Sequence, residues 1–217
     1  MATLTQLIAD CVTEIKTDPN KKIWNDATLT GYLNQAIRRV EKDGNYDWDE
    51  CAESGTVSLV GGTQEYTLPS DFVRLEYITF GSAETLTKTT KMDVLRLGDT
   101  SQSKPTSYYI RGGKVGFWST PDQAYTATML YRKSIAALSS SALTLEFSDK
   151  FAPALIKYAA YLAWSSPRGN AQEAQSKFND YRLELESLKT SELFNDMADM
   201  TFSTSRGGHP YNANVIY

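Results

Sequence analysis

Asp43, Asn45, Asp47 and Asp49 stand at alternating positions, the spacing with which a calcium loop begins. Such a loop needs glycine at its sixth place for the sharp turn and a bidentate glutamate at its twelfth. Those places hold Trp48 and Ser54, so the stretch reads as a solvated acidic link with Tyr46 and Trp48 packed below it. Ser101-Gln102-Ser103-Lys104 has the Ser-x-x-Lys spacing by which a lysine activates a serine. Its companions Ser-Asp-Asn and Lys-Thr-Gly are missing, and a polar loop before Pro105 accounts for it. Gly112-Gly113-Lys114 has no Gly-x-x-x-x-Gly-Lys-Ser/Thr frame around it and reads as a hairpin turn. One histidine, His209, and two cysteines, Cys11 and Cys51, give neither the usual zinc ligand set nor a disulfide framework. Carboxylate pairs for glycoside hydrolysis are decided by separation in space, and none of the 26 acidic residues is singled out as a pair. We expect no catalytic residue, no metal and no cofactor.

The overall balance excludes more. The 217 residues carry 22 basic and 26 acidic side chains, a net charge of -4, whereas phosphate-driven binding needs clustered Lys and Arg. Arg38-Arg39 and Arg132-Lys133 are adjacent basic pairs, and we read Arg38, Arg39 and Arg132 as surface or subunit contacts. The first residues lack a basic and apolar leader, and no run of about 18 apolar residues could span a bilayer. A soluble protein made in a cytoplasm is the expectation. With 12% aromatic residues, 13 of them tyrosine, strands and interfaces are favoured.

The elements follow from periodicity. Leu4, Leu7, Ile8, Cys11 and Ile15 form one helical stripe, capped by Thr3 or Thr5 and ended by Asp18-Pro19-Asn20. Cys11 is then a buried small hydrophobe. Leu29, Leu33, Ala36, Ile37 and Val40 mark a second helix, capped by Asp26 or Thr28 and closed by a left-handed Gly44. The two should pack as a hairpin. From residue 54 the period falls to two. Val57 and Leu59, Gly61-Gly62, then Tyr66 and Leu68 suggest a β-hairpin. Phe72 to Phe80 is a strand, Met92 to Leu97 a helical turn. Tyr108 to Trp118 is a second hairpin about Gly112-Gly113, and Tyr125 to Arg132 a further strand. Helix returns near Ser148 with Phe151 to Ala163, and a last helix runs from about Asn170 to Leu193.

These elements predict an α+β fold: mainly a bundle of about four helices with an inserted small antiparallel β-domain of five or six strands and an extended C-terminal arm. The expected divisions are 1–53, an N-terminal helical hairpin; 54–147, the β-domain; 148–194, a C-terminal hairpin packing on the first; and 195–217, the arm. The arm holds Met197, Met200, Phe202, Tyr211, Val215, Ile216 and Tyr217 among its glycines and asparagines. That is more apolar than a solvated tail, so it reads as a segment that orders against something.

Several blocks resemble the adaptor, or head-to-tail connector, proteins of tailed bacteriophages. They are Leu29-x3-Leu33-Asn34-Gln35-Ala36-Ile37-Arg38-Arg39 running into Gly44-x-Tyr46-x-Trp48, and Tyr66-Thr67-Leu68-Pro69-Ser70-Asp71-Phe72-x-Arg74-Leu75. A further block runs from Pro105-x-Ser107-Tyr108-Tyr109-Ile110 through Gly116-Phe117-Trp118-x-x-Pro121-Asp122 to Tyr131-Arg132, and the helix Ala154 to Trp164 also fits. The resemblance covers roughly residues 28–192. It implies a virion protein forming a ring, commonly of twelve copies, between the portal protein and the tail tube or nozzle. DNA would pass through the ring without sequence-specific binding. It also implies an arm that docks on the portal, here Phe202, His209, Pro210, Tyr211, Val215, Ile216 and Tyr217. It brings no catalytic motif. Two other classes stay open at this point: a tail-associated cell-wall hydrolase with an unrecognised carboxylate pair, and a carbohydrate-binding module built on a tyrosine-rich sheet face.

Overall fold

The computed structural model describes residues 1–16, 23–81, 84–97, 102–139 and 144–204. It divides into two units, one of Met1–Val40 with Leu138–Tyr217 and one of Glu41–Ala137.

The first unit is helical. Helix α1 (Leu4–Ile15) begins in a capping box: Thr3 Oγ1 accepts the Gln6 N–H at 3.3 Å, and Gln6 Oε1 accepts the Thr3 N–H at 2.9 Å. It buries Leu4, Leu7, Ile8, Cys11 and Ile15, the expected stripe. It stops at Lys16, whose φ of 61° turns the chain before Asp18-Pro19-Asn20 is reached. Helix α2 (Asp26–Asp43) is capped by Asn25, whose Oδ1 accepts the Thr28 N–H at 2.9 Å, and not by Asp26 or Thr28. Helix α4 (Ala152–Trp164), with proline in its first turn, buries Ala154, Leu155, Ala159, Ala160 and Ala163. Helix α5 (Ala171–Thr204) buries Ala174, Tyr181, Leu185 and Leu188 against it. Ring contacts join the two: Tyr158 to Tyr181 at 4.9 Å and Tyr161 to Phe178 at 5.1 Å. Their connection brings the backbone of Gly169 against the Trp164 carbonyl, where an added Cβ would lie 1.9 Å away.

The second unit holds helix α3 (Lys91–Leu97) and eight strands: β1 (Ala52–Leu59), β2 (Glu65–Thr67), β3 (Phe72–Phe80), β4 (Glu84–Thr85), β5 (Thr87–Lys88), β6 (Ser107–Arg111), β7 (Lys114–Trp118) and β8 (Tyr125–Lys133). They form two four-stranded sheets, in the orders β1-β8-β3-β4 and β2-β7-β6-β5. Val57, Leu59, Ile78, Phe80, Ala127, Met129 and Tyr131 from one sheet share a core with Tyr108, Val115 and Phe117 from the other. The β6–β7 hairpin, strands β3 and β8, and the helical turn at α3 stand where the alternation put them.

The expectation of a mainly helical four-helix bundle with a small antiparallel sheet needs correcting. The β part is two sheets, and β5 pairs parallel with β6. Strands of two or three residues show too little alternation to be seen in sequence. The supposed hairpin about Gly61-Gly62 is no hairpin: β1 pairs with β8 while β2 pairs with β7. Those glycines carry the chain from one sheet to the other, with the Gly62 N–H on the Pro121 carbonyl at 2.8 Å. Among the described residues α1 packs chiefly on α4 and α4 on α5. A cleft of about 440 Å³ is lined by Leu4 and Ile8 of α1 and by Ala27 and Thr30 of α2. Last, α5 continues to Thr204, so residues 195–204 are helix and not extended arm.

Candidate functional site

The acidic link after α2 is held by pairing. Asp47 takes the Arg74 guanidinium at 2.5 Å and the Asn45 amide at 3.1 Å. The left-handed residues there are Asn45 and Tyr46, with φ of 54° and 60°. Gly44 is required for another reason: a Cβ on it would fall 2.2 Å from the Trp48 indole. Trp48 is buried, as its place below the link suggested. Among the described residues no group of three or more His, Cys, Asp or Glu side chains is placed to hold a metal ion.

Other candidates for chemistry are engaged. Lys104 forms an ion pair with Glu84 and lies 5.4 Å over the Phe80 ring; Ser101 lies outside the described residues. Gly112 and Gly113, with φ of 59° and 73°, form the β6–β7 turn. Both cysteines are buried, and burial pushes their thiols up to about 12. Glu65 of β2 accepts from Tyr109 at 2.9 Å and pairs with Lys91 of α3 at 2.5 Å. The Lys91 and Tyr109 hydrogen bonds hold its carboxyl below the ordinary value. Burial first, then Glu65, push the Tyr109 phenol up to about 12.

Among the described strands Tyr66 and Tyr125 are half-buried. Tyr108, Tyr109 and Tyr131 are buried, and Tyr77 of β3 is the tyrosine with 45% exposure. Burial takes the rings of Tyr108, Tyr109 and Tyr131 away from any surface platform.

The residues assigned to partner contacts fall as follows. Arg38 is exposed and Arg39 half-buried on α2. Arg132 of β8 is turned onto its own unit: its Nε donates to Glu76 at 2.6 Å and its Nη1 to the Trp48 carbonyl at 3.1 Å. Phe202 lies in α5. His209, Pro210, Tyr211, Val215, Ile216 and Tyr217 lie outside the described residues.

Sequence reasoning passed over two polar residues of α2. Glu41, 1% exposed, accepts from the Ile135 N–H and from Ser134 Oγ, the latter at 3.1 Å. Asn34 bonds both backbone groups of Leu138. A signal existed for Glu41: it follows Ile37 by four residues and so continues the apolar stripe, where a carboxylate requires donors.

The α4–α5 layer carries a charged seam as well. Glu14 Oε1 accepts from Lys157 at 2.8 Å and from Lys177 at 2.5 Å. Lys150 ties Glu192 of α5 at 2.5 Å. No described helix is long and apolar enough to cross a membrane. The arrangement is one of two units, in which Glu14, Asn34, Glu41, Glu65 and Arg132 are bonded within the framework, with the long helix α5 leading into the final residues.

Residues 2–205 match the family model described as SU10 adaptor protein. No match was found among curated proteins.

Proposed function

The chain belongs to the SU10 adaptor protein family, and from that premise we propose that it is a structural virion protein whose copies form a ring joining the portal of a bacteriophage capsid to the tail. The resemblance to tailed-phage adaptors read from the blocks between residues 28 and 192 is borne out by this membership. An adaptor role for a phage structural protein follows directly. The ring, the portal and tail contacts, and a channel through which DNA passes are the finer reading.

The observation that carries the proposal is the family match over almost the whole chain. The form of α5 supports it. At about 1.5 Å per residue its 34 residues make a rod of about 50 Å. Residues 205–217 follow directly on that rod in the sequence. In the proposed joint Phe202, His209, Pro210, Tyr211, Val215, Ile216 and Tyr217 bind the portal, and Arg38 and Arg39 meet a neighbouring copy. Arg132, already bonded to Glu76, would serve such a contact only through its remaining guanidinium edge. Ordering the arm costs entropy that its apolar residues must offset. Many arms engaging one ring act multivalently, so modest affinity for each suffices.

The test is co-assembly with the portal protein. The full chain should co-sediment with portal rings, and a chain lacking residues 205–217 should fold yet stay in the supernatant. Equal co-sedimentation of both would remove the anchoring role. A peptidoglycan turbidity assay addresses the hydrolase alternative, and clearing by the pure protein would replace the structural reading.

A further inference from the structure

Strand β1 presents a long open edge. Two sheets have four edge strands, and three of these, β2, β4 and β5, are two or three residues long. Shortness is one way proteins blunt an edge. β1 is eight residues long and pairs with β8 in unbroken register from Ala52↔Arg132 to Leu59↔Tyr125. It has no proline, no lysine and no bulge, and its one charge, Glu53, is tied to Lys133 at 3.1 Å.

The outward direction can be read from hydrogen bonds. Just past β8 the Ser134 N–H goes to the Asp71 carbonyl on the β3 side at 2.8 Å, which leaves the odd-numbered positions of β8, paired with odd positions of β1, to bond β1. The Val60 N–H goes to the Tyr66 hydroxyl at 2.8 Å. Even-numbered positions therefore turn their N–H and C=O groups away from β8. No other described strand bonds to Ala52, Ser54, Thr56 or Ser58 from that side.

The last residues of the sequence have the complementary pattern. Tyr211, Ala213, Val215 and Tyr217 alternate with Asn212, Asn214 and Ile216, the two-residue period of a strand. No charged side chain follows Arg206. Seven residues suit an eight-residue edge. The six residues between Thr204 and Tyr211 give about 20 Å of reach when extended.

We propose that β1 is a strand-addition site, and that before the adaptor meets a portal the edge of one copy takes residues 211–217 of another. Main-chain hydrogen bonds supply the affinity and the alternate side chains the register. The proposal rests on the adaptor reading in one respect: a portal that binds the same residues withdraws them and leaves the edge open. Self-association and portal joining then compete.

The experiment uses the full chain with a photo-cross-linker at Val215, mixing heavy-isotope-labelled and unlabelled copies. Light scattering follows particle mass up to about 100 μM, a range in which weak strand addition still registers. Expected are concentration-dependent dimers or larger species and inter-copy cross-links to residues 52–59. Thr56→Pro, which removes one outward N–H, should abolish both, with urea unfolding confirming a folded chain. Deleting residues 211–217 should abolish the association while leaving every described residue in place. A monomer throughout, association that survives the deletion, or cross-links falling elsewhere would overturn the proposal. Portal co-sedimentation is read separately. Its loss with inter-copy links intact would count against the adaptor reading alone, and the reverse against strand addition alone.

Discussion

Asn34 holds both backbone groups of Leu138, donating from Nδ2 to its carbonyl at 2.9 Å and accepting its N–H at Oδ1 at 2.8 Å. One amide thus fixes the return of the chain to the first unit in the way a strand partner would. The residue sits inside the Leu33-Asn34-Gln35-Ala36 block of α2.

Asn34→Ala should therefore cost more than an ordinary surface change. It leaves a part-buried N–H and C=O without partners, which is worth about 2–3 kcal/mol in total. Asn34→Asp keeps the acceptor and loses the donor, and should fall between. Urea unfolding midpoints and amide exchange at Leu138 give the measurement; equal stability of all three proteins would refute the role.

Three glycines should respond in opposite senses to alanine. At Gly44 and Gly116 the new methyl would meet the Trp48 indole at 2.2 Å and the Tyr109 ring at 2.1 Å. Each substitution should destabilise by about 1–3 kcal/mol as the ring is displaced. Gly31, in α2, has nothing within 4 Å of an added Cβ. Gly31→Ala should stabilise by about 0.5–1 kcal/mol through helix propensity and a less free unfolded chain. Thermal melts of the three variants decide it.

Glu14 sets an acid limit on the helical unit. Burial alone would raise its carboxyl, but the hydrogen bonds from Lys157 and Lys177 outweigh it, and the group is held below its ordinary value of 4.5. A depressed carboxyl contributes stability that is fully present above the unfolded value and is lost as pH falls through the folded one. The melting difference between the native chain and Glu14→Gln should be constant near neutrality and shrink below about pH 4.5. A difference that does not change with pH would count against the seam.

Neither thiol should react in the folded protein. With Cys11 and Cys51 pushed up to about 12 by burial first and neighbouring carboxylates second, thiolate is scarce and access is closed. An aromatic disulfide reagent at mildly alkaline pH should titrate no thiol before denaturant and two after it. Prompt labelling of one cysteine in the native state would contradict the burial.

Much of the secondary structure could be read from the residues because it depends on local spacing. The α1 stripe with its Thr3 cap, the α2 stripe, strand β8 and the β6–β7 turn about Gly112-Gly113 all stand as their periods dictate. Strand β3 keeps its place but buries Ile78 and Phe80 instead of the Leu75-Tyr77-Thr79 set, after register shifts. So does the family, because its blocks are runs of adjacent residues. Partnership was not readable. That β1 joins β8 and leaves β2 to the other sheet depends on contacts some seventy residues apart in the chain. A glycine pair marks a bend in either case. Gly44 shows the same limit: its sequence position suggested a left-handed cap, while the bond actually required is proximity to Trp48, four residues on but set by packing.

The sequence by itself determined the helical and strand periods, the lack of a familiar catalytic motif and the adaptor-like order of blocks, since each is a property of neighbours along the chain. Only the tertiary structure decided that the strands divide into two sheets and that α1 leans on α4. It also decided that Glu41 is buried with donors supplied by Ser134 and Ile135, and that among the described strands only β8 pairs with β1. The reason is physical: a period specifies which face of an element is apolar, and many faces are equally apolar. Which two of them meet is settled by shape and by the need of every buried N–H and C=O for a partner.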